Sequence, residues 1–216
     1  MFWSILKPLL WFLPFLMFVA ILPTILKSPK FKGWLGEKLV QKIAHKNLSP
    51  NIYHGFHNVT LPLENDSTQI DHIYVSKFGV FVVETKNYKG WIYGKIKDAK
   101  WTQNIYGKKY FFQNPLRQNY KHIKALESLL NLPITTFQSV VIFTGDCELK
   151  SNFPANICRL NNFCPYILSL TTPILTETQV SKIRQQLATG RLKNNLATRR
   201  THIRNVKSNL NNKNSP

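Results

Sequence analysis

Two stretches decide the fold: Thr68-Gln69-Ile70-Asp71-His72-Ile73-Tyr74-Val75-Ser76 and, after a short connection, Gly79-Val80-Phe81-Val82-Val83-Glu84-Thr85-Lys86. Both are rich in Ile, Val, Tyr and Phe, and Lys77-Phe78-Gly79 supplies the glycine of a tight turn, so they predict an antiparallel hairpin of strands Gln69–Ser76 and Val80–Lys86. In such a pair, directly opposed residues lie on one face, and residues two apart along a strand share that face. Two registers are open. Asp71 opposite Glu84 leaves a four-residue connection from Ser76 to Gly79, and Asp71 opposite Lys86 leaves the two-residue connection Phe78-Gly79. Both gather Asp71, Glu84 and Lys86 on one face. A one-residue slip would scatter them and move Val80 and Val82 off the face shared with Ile73 and Val75.

That grouping has chemical content because the chain holds only ten Asp and Glu. Two carboxylates a few ångströms apart repel unless a cation lies between them, and oxygen ligands with open water positions suit Mg²⁺ or Mn²⁺. A lysine beside that metal stabilises a hydroxide or the extra negative charge on a phosphorus centre under attack by water, which is the chemistry of phosphodiester hydrolysis. Glu37 is a third acidic candidate, three residues before Val40 at the border of a helical apolar stripe. The plain alternative is that Glu84 and Lys86 are a surface pair on a half-exposed strand. His72 adjoins Asp71 but points to the opposite face, which suits a structural or surface role better than that of a general base.

Outward from the hairpin, Phe31 to Asn47 carries Leu35, Leu39, Val40 and Ile43 at helical spacing. Ile52–Leu61 reads as a strand, separated from the hairpin by the polar loop Glu64-Asn65-Asp66-Ser67. Gly90–Ile96 and Lys100–Tyr106 look like extensions of the same sheet. Asn114-Pro115 starts a helix with core positions Leu116, Tyr120, Ile123 and Leu130 and basic positions Arg117, Lys121 and Lys124. Gln138–Thr144 reads as a buried strand and Ile157–Leu160 as an edge strand. Thr176-Glu177-Thr178-Gln179 fits a capping box before a helix carrying Val180, Ile183 and Leu187 and closing at Gly190. The aromatics Trp91, Tyr93, Trp101, Tyr110 and Phe111 interleave with lysines; strand aromatics are usually core, and the same mixture can stack bases and grip phosphates.

The 216 residues suit one ordinary domain with an appendage, and 44% hydrophobic content excludes a disordered polar tract. Twenty-nine Lys and Arg against ten acids leave a net charge of +19, which favours a polyanion or an anionic lipid face. Cys147, Cys158 and Cys164 have no C-x-x-C spacing, so neither a zinc ribbon nor a disulfide framework is indicated. Residues 8–26, Pro8 to Leu26, hold no charge over nineteen positions and read as a transmembrane anchor; a cleaved signal peptide would have a shorter apolar core. Pro14 and Pro23 keep a re-entrant or interfacial helix open. Lys27, Lys30 and Lys32 follow the segment, so the positive-inside rule predicts a single-pass protein of the cell membrane with its C-terminal domain cytoplasmic. The expected organisation is an anchor at 1–30, a domain at 31–146, its completion at 147–190 and a basic tail at 191–216.

Gly36-Glu37, Thr68 to Ile73, and Gly79 to Lys86 continuing through Asn87-Tyr88-Lys89-Gly90-Trp91-Ile92-Tyr93-Gly94 closely resemble the nuclease-related domain. Trp101-Thr102-Gln103, Asn114-Pro115-Leu116 and Gln118-Asn119, followed by His122 and Leu126, continue the pattern in order. The resemblance implies an α/β restriction-endonuclease-like fold of the PD-(D/E)xK type, a mixed central sheet flanked by helices, here preceded by the N-terminal transmembrane helix. It implies that Asp71 and Glu84 are metal ligands, that Lys86 is the catalytic lysine, and that Glu37 matches the acidic residue of the first helix. Gln103 and Gln118 would hold water or phosphate, and Arg117 and Lys121 would meet nucleic acid on the basic helix face. The expected function is a membrane-anchored nuclease dependent on Mg²⁺ or Mn²⁺, acting on nucleic acid, with DNA the favoured substrate. The alternatives are an inactive nucleic-acid-binding module at the membrane and a scaffold whose lysines contact anionic lipid.

Overall fold

A computed structural model describes residues 2–63 and 66–192. The deciding hairpin is present as β2, Asp66–Ser76, and β3, Gly79–Asn87. Its pairs Val75↔Val80, Ile73↔Val82 and His72↔Val83 select the register that sets Asp71 against Glu84, and Ser76 pairs with Gly79 around Lys77-Phe78. Val80, Phe81, Val82 and Val83 are all fully buried, because β3 is the middle strand of a five-stranded sheet covered on both faces. The strand β1, His54–Leu63, pairs antiparallel outside β2. On the other side β7, Phe137–Thr144, pairs parallel with β3, and β9, Ile157–Arg159, pairs parallel with β7 at the edge. The result is the expected mixed sheet.

Alternation along β3 sends Val80 and Val82 to one face and Phe81 and Val83 to the other. The first face packs with Ile73 and Val75 against α3, Pro115–Leu130, and α5, Glu177–Gly190. The second packs with Tyr74, Val140 and Ile142 against α2, Pro29–Asn47, and α4, Leu160–Ser169. Asn114 caps α3, its side chain accepting the Leu116 N–H at 2.9 Å, and Thr176 and Gln179 form the capping box of α5. Two helical stripes are rotated from expectation. On α2 the buried positions are Gly36, Val40 and Ala44, while Leu35 and Leu39 are exposed. On α3 Tyr120 is exposed, and Asn119, His122, Ile123 and Leu126 are buried. Gly190 is the last residue of α5 rather than a left-handed cap; a Cβ there would stand 2.7 Å from Leu129 Cδ1.

The strands after Gly90 do not extend the first sheet. β4, Gly90–Tyr93, β5, Lys100–Ile105, and β6, Lys108–Gln113, form a second sheet, with β8, Cys147–Leu149, pairing parallel with β4. The cause is a pair of bends. Gly90 (φ +77°) and Gly145 (φ +75°) turn the chain just beyond β3 and β7, and the Gly90 N–H donates to Asp146 O at 2.8 Å across the turn. A Cβ on Gly90 would lie 2.3 Å from Asn104 O, and one on Gly145 would lie 2.4 Å from Asn87 Oδ1, so only glycine fits either place. Trp101 fills the angle between the sheets, with no exposed surface, nearly parallel to Phe143 and 4.8 Å from the Phe153 ring centroid.

At the N-terminus α1, Phe2–Lys27, runs unbroken through Pro14 and Pro23, and the break falls at Ser28, whose side chain caps α2. Among the described residues no single helix is long and apolar enough to cross a membrane; Pro14–Lys27 and Pro29–Asn47, bent by 64°, meet that measure as a pair. Glu64 and Asn65 of the expected loop, and the tail from 193 to 216, lie outside the described residues.

Trp101→Ala should cost about 3–5 kcal/mol, because a large fully buried ring leaves a cavity that two sheets cannot collapse into. Trp91→Ala, on an exposed ring, should stay within about 0.5 kcal/mol. Denaturant unfolding of the detergent-solubilised chain measures both.

Candidate active site

The row of β3 that faces α3 begins as Val80 and Val82 and ends as Glu84 and Lys86. The facing row of α3 changes in step: Leu130 and Leu126 belong to the core, and at the same four-residue spacing His122 and Gln118 follow. Half of the interface is therefore apolar packing and half is a polar site. Asn119 fixes the height of α3 on the sheet, its Nδ2 donating to Val82 O at 2.7 Å and Ser139 Oγ at 2.9 Å.

Backbone pairing of β2 with β3 stops at His72↔Val83. One step further Asp71 Oδ2 accepts the Thr85 N–H at 2.8 Å, so a side chain takes the place of a strand carbonyl where the two strands part. Glu84 is 2% exposed, and both its oxygens are engaged, Oε1 with Lys86 Nζ at 2.7 Å and Oε2 with His122 Nε2 at 3.2 Å. Lys86 Nζ also donates to Gln118 Oε1 at 2.8 Å. His122 Nδ1 lies 2.7 Å from Thr68 Oγ1, closing a chain Thr68–His122–Glu84–Lys86–Gln118 across β2, β3 and α3.

The electrostatics divide the two carboxylates. Burial, and then repulsion by Glu84 and Glu37, hold the Asp71 carboxyl well above the usual range, against the opposing pull of the Thr85 N–H and Lys86. Burial would raise Glu84 too, but Lys86 and His122 more than offset it and leave its pKa below the ordinary value. Lys86 resists the downward push of burial because Glu84 favours its charged form, so its pKa is raised. The arrangement is an ionised Glu84–Lys86 pair beside a carboxyl that ionises reluctantly.

The other expected residues are distributed around this centre. Glu37 is half-buried on α2 and close enough to act on the Asp71 charge; the adjacent Gly36 lets the helix approach β3 and β7, since a Cβ there would meet Thr144 Oγ1 at 2.6 Å. Gln118 is in contact with Lys86. Gln103 lies in the second sheet and donates to Lys89 O at 2.8 Å, Arg117 donates to Lys97 O at 2.8 Å, and Lys121 is exposed on α3. His72 is buried on the other face, with Nδ1 3.0 Å from His57 Nδ1. Burial, with His57 and Lys38 adding to it, pushes His72 down to about 3, so it is neutral at ordinary pH. The residues without an assigned role in the sequence reading are His122 and Thr68. The signal for His122 was its spacing, four residues after Gln118 and four before Leu126.

Residues 32–144 match the nuclease-related domain family, from near the start of α2 to the end of β7. The chain belongs to that family. The matched segment, a nuclease-related domain or NERD, contains every member of the Thr68–Gln118 chain, and PD-(D/E)xK proteins are the superfamily in which NERD domains stand. An uncharacterized protein of Bacillus anthracis is 47% identical over 160 residues, covering 72% of this chain and 74% of that relative. No solved structure matches. β8, β9, α4 and α5 lie beyond the NERD match, yet β9 continues the first sheet and α5 closes its core.

Asp71→Asn tests the charge balance. Asp71 holds its proton more tightly folded than unfolded, so its contribution to stability is full below the ordinary carboxylate pKa and is lost as pH rises through the raised folded value. Thermal unfolding in EDTA should therefore show the variant gaining on wild type from pH 4 towards pH 7. Glu84→Gln should do the reverse at pH 7, costing about 3–5 kcal/mol by stranding Lys86.

Proposed function

We propose that this NERD protein is a metal-dependent nuclease that hydrolyses phosphodiester bonds in nucleic acid, DNA before RNA, from a position anchored at the membrane. The observation that carries the reading is the convergence of Asp71, Glu84 and Lys86 at the point where β2 parts from β3. The donor set suits a divalent cation. Asp71 and Glu84 offer hard oxygen ligands, and the burial and the repulsion by Glu84 and Glu37 that together raise the Asp71 pKa are costs that Mg²⁺ or Mn²⁺ would offset. Among the described residues no three His, Cys, Asp or Glu side chains are grouped to hold a metal ion, so the proposed ion rests on Asp71 and Glu84. When bound, such an ion lowers the pKa of water and offsets phosphate charge.

The chain's own residues divide the remaining work. Lys86 keeps its proton, so it serves as a fixed positive charge towards the anionic phosphorus centre rather than as a base. Gln118 and Glu84 hold its ammonium from two sides, and His122, itself held by Thr68, holds Glu84. Glu37 adds negative charge from α2 and would draw the cation towards Asp71. Arg117 and Lys121 on α3, and Gln103 on β5, are the proposed contacts to the nucleic-acid backbone. Support for the anchor comes from α1, whose described side chains from Trp11 to Leu26 are exposed apolar groups in the main. Residues 8–26 would enter the bilayer, with Lys27, Lys30 and Lys32 at the cytoplasmic, anionic lipid face.

The test uses the whole chain in detergent with labelled single- and double-stranded DNA and RNA, in Mg²⁺, Mn²⁺ or EDTA. Cutting should require the metal and fall by about 10²–10³-fold in Lys86→Ala, with a comparable loss in Asp71→Ala. Binding without cutting, equal in all three proteins, would make the chain a tethered binding module instead.

A further inference from the structure

The second sheet has an inner face that carries Ile92, Trp101 and Phe112 into the core and an outer face on which Trp91, Tyr93 and Phe111 are exposed. Strand register sorts that outer face into rows. Trp91 pairs with Asn104, which pairs with Lys109; one step along, Tyr93 pairs with Thr102, which pairs with Phe111. Trp91 is 45% exposed and Phe111 69%, and Tyr93 is exposed as well. Trp91 and Tyr93 are two residues apart on one strand, so their Cα atoms are roughly 6.8 Å apart, about twice the 3.4 Å rise between stacked bases. Short side chains, Thr102 and Asn104, lie between Trp91 and Tyr93 on one side and Phe111 on the other, and the Lys150 ammonium lies over one face of the Trp91 ring. Between Lys89 and Gln113 the chain carries six lysines and one aspartate, and Lys150 Nζ stands 5.0 Å from the Trp91 ring centroid. A cavity of about 310 Å³ opens beside Trp91 and Asn104 and is also lined by Asp146 and Glu148, acceptors for a base edge rather than for a phosphate.

We infer that this outer face is a stacking platform for single-stranded nucleic acid, which delivers the strand to the Asp71–Glu84–Lys86 site; the inference rests on the nuclease reading above for that second step alone. Exposed rings among lysines can stack only on bases whose faces are free, which a duplex does not offer. The hairpin tip reads Ile105-Tyr106-Gly107-Lys108 and the aromatic rows lie behind it; an anionic lipid face is the competing surface for its lysines, and the vesicle arm of the experiment separates the two. β4 begins at Gly90, four residues after Lys86 on the same chain, so platform and site are joined by the bend that creates the second sheet.

The experiment measures fluorescence anisotropy of labelled oligodeoxynucleotides and oligoribonucleotides, single-stranded and duplex, with the whole chain in detergent and EDTA. The proteins are wild type, Trp91→Ala with Phe111→Ala, and Trp91→Phe with Phe111→Tyr. Single strands should bind more tightly than duplex, the alanine pair should lose about 10–100-fold, and the aromatic pair should bind nearly as wild type. Unchanged affinity in the alanine pair, a preference for duplex, or binding to phosphatidylserine vesicles but to no oligonucleotide would overturn the platform. Cleavage is scored separately in Mg²⁺. Loss of single-strand binding in the alanine pair, with no cutting by wild type, would sustain the platform and remove the nuclease; cutting with undiminished binding in that pair would do the opposite.

Discussion

Glu84 brings a negative charge to a place with almost no access to water, and the surrounding structure is built to hold it there. An ionised carboxylate so placed costs several kcal/mol unless it is paired and hydrogen-bonded. Lys86 and His122 meet one oxygen each. Those contacts require α3 at one height on the sheet, which Asn119 sets by bonding Val82 O. They also require β2 to release β3, so that the Thr85 N–H passes to the Asp71 side chain instead of to a strand carbonyl. The apolar halves of the same rows, Val80 and Val82 against Leu126 and Leu130, supply the burial that offsets the cost of the polar halves.

The second constraint is the bend at Gly90 and Gly145. Both are held at positive φ with other atoms in the space a Cβ would need, so the two parallel strands β3 and β7 leave the first sheet together and reappear as β4 and β8. The bend leaves an inner angle filled by Trp101 and Phe143 and an outer face on which Trp91, Tyr93 and Phe111 are exposed. The candidate site on β3 and the aromatic surface that begins on β4 thus occupy successive strands of one continuous stretch of chain.

Membership of the NERD family and the local electrostatics bear on function from different directions. The family match describes a nuclease-related domain. The electrostatics describe which carboxylate is ionised, which resists, and why the lysine keeps its proton. His122 connects the two accounts: it lies within the residues that match the family, and its place in the structure is to hold the carboxylate that holds the lysine.

Much of this was determined by the sequence alone. Period-two alternation, a glycine-bearing turn and one compatible hydrophobic face were enough to set Asp71, Glu84 and Lys86 together, because strand geometry leaves no other way to bury Val80, Val82, Ile73 and Val75 on one side. The caps of α3 and α5 were equally local, being short-range bonds between side chain and backbone. The choice between the two allowed registers, the rotated stripes of α2 and α3, and the second sheet were decided by tertiary structure. Gly36 and Asn119 are buried for close approach and backbone hydrogen bonding, which hydrophobic periodicity does not encode. The departure of β4 from the first sheet depends on contacts of Gly90 with Asn104 and of Gly145 with Asn87, each between residues more than ten positions apart. Which aromatics became core and which became surface followed from that departure, and no local pattern in the sequence distinguishes Trp101 from Trp91.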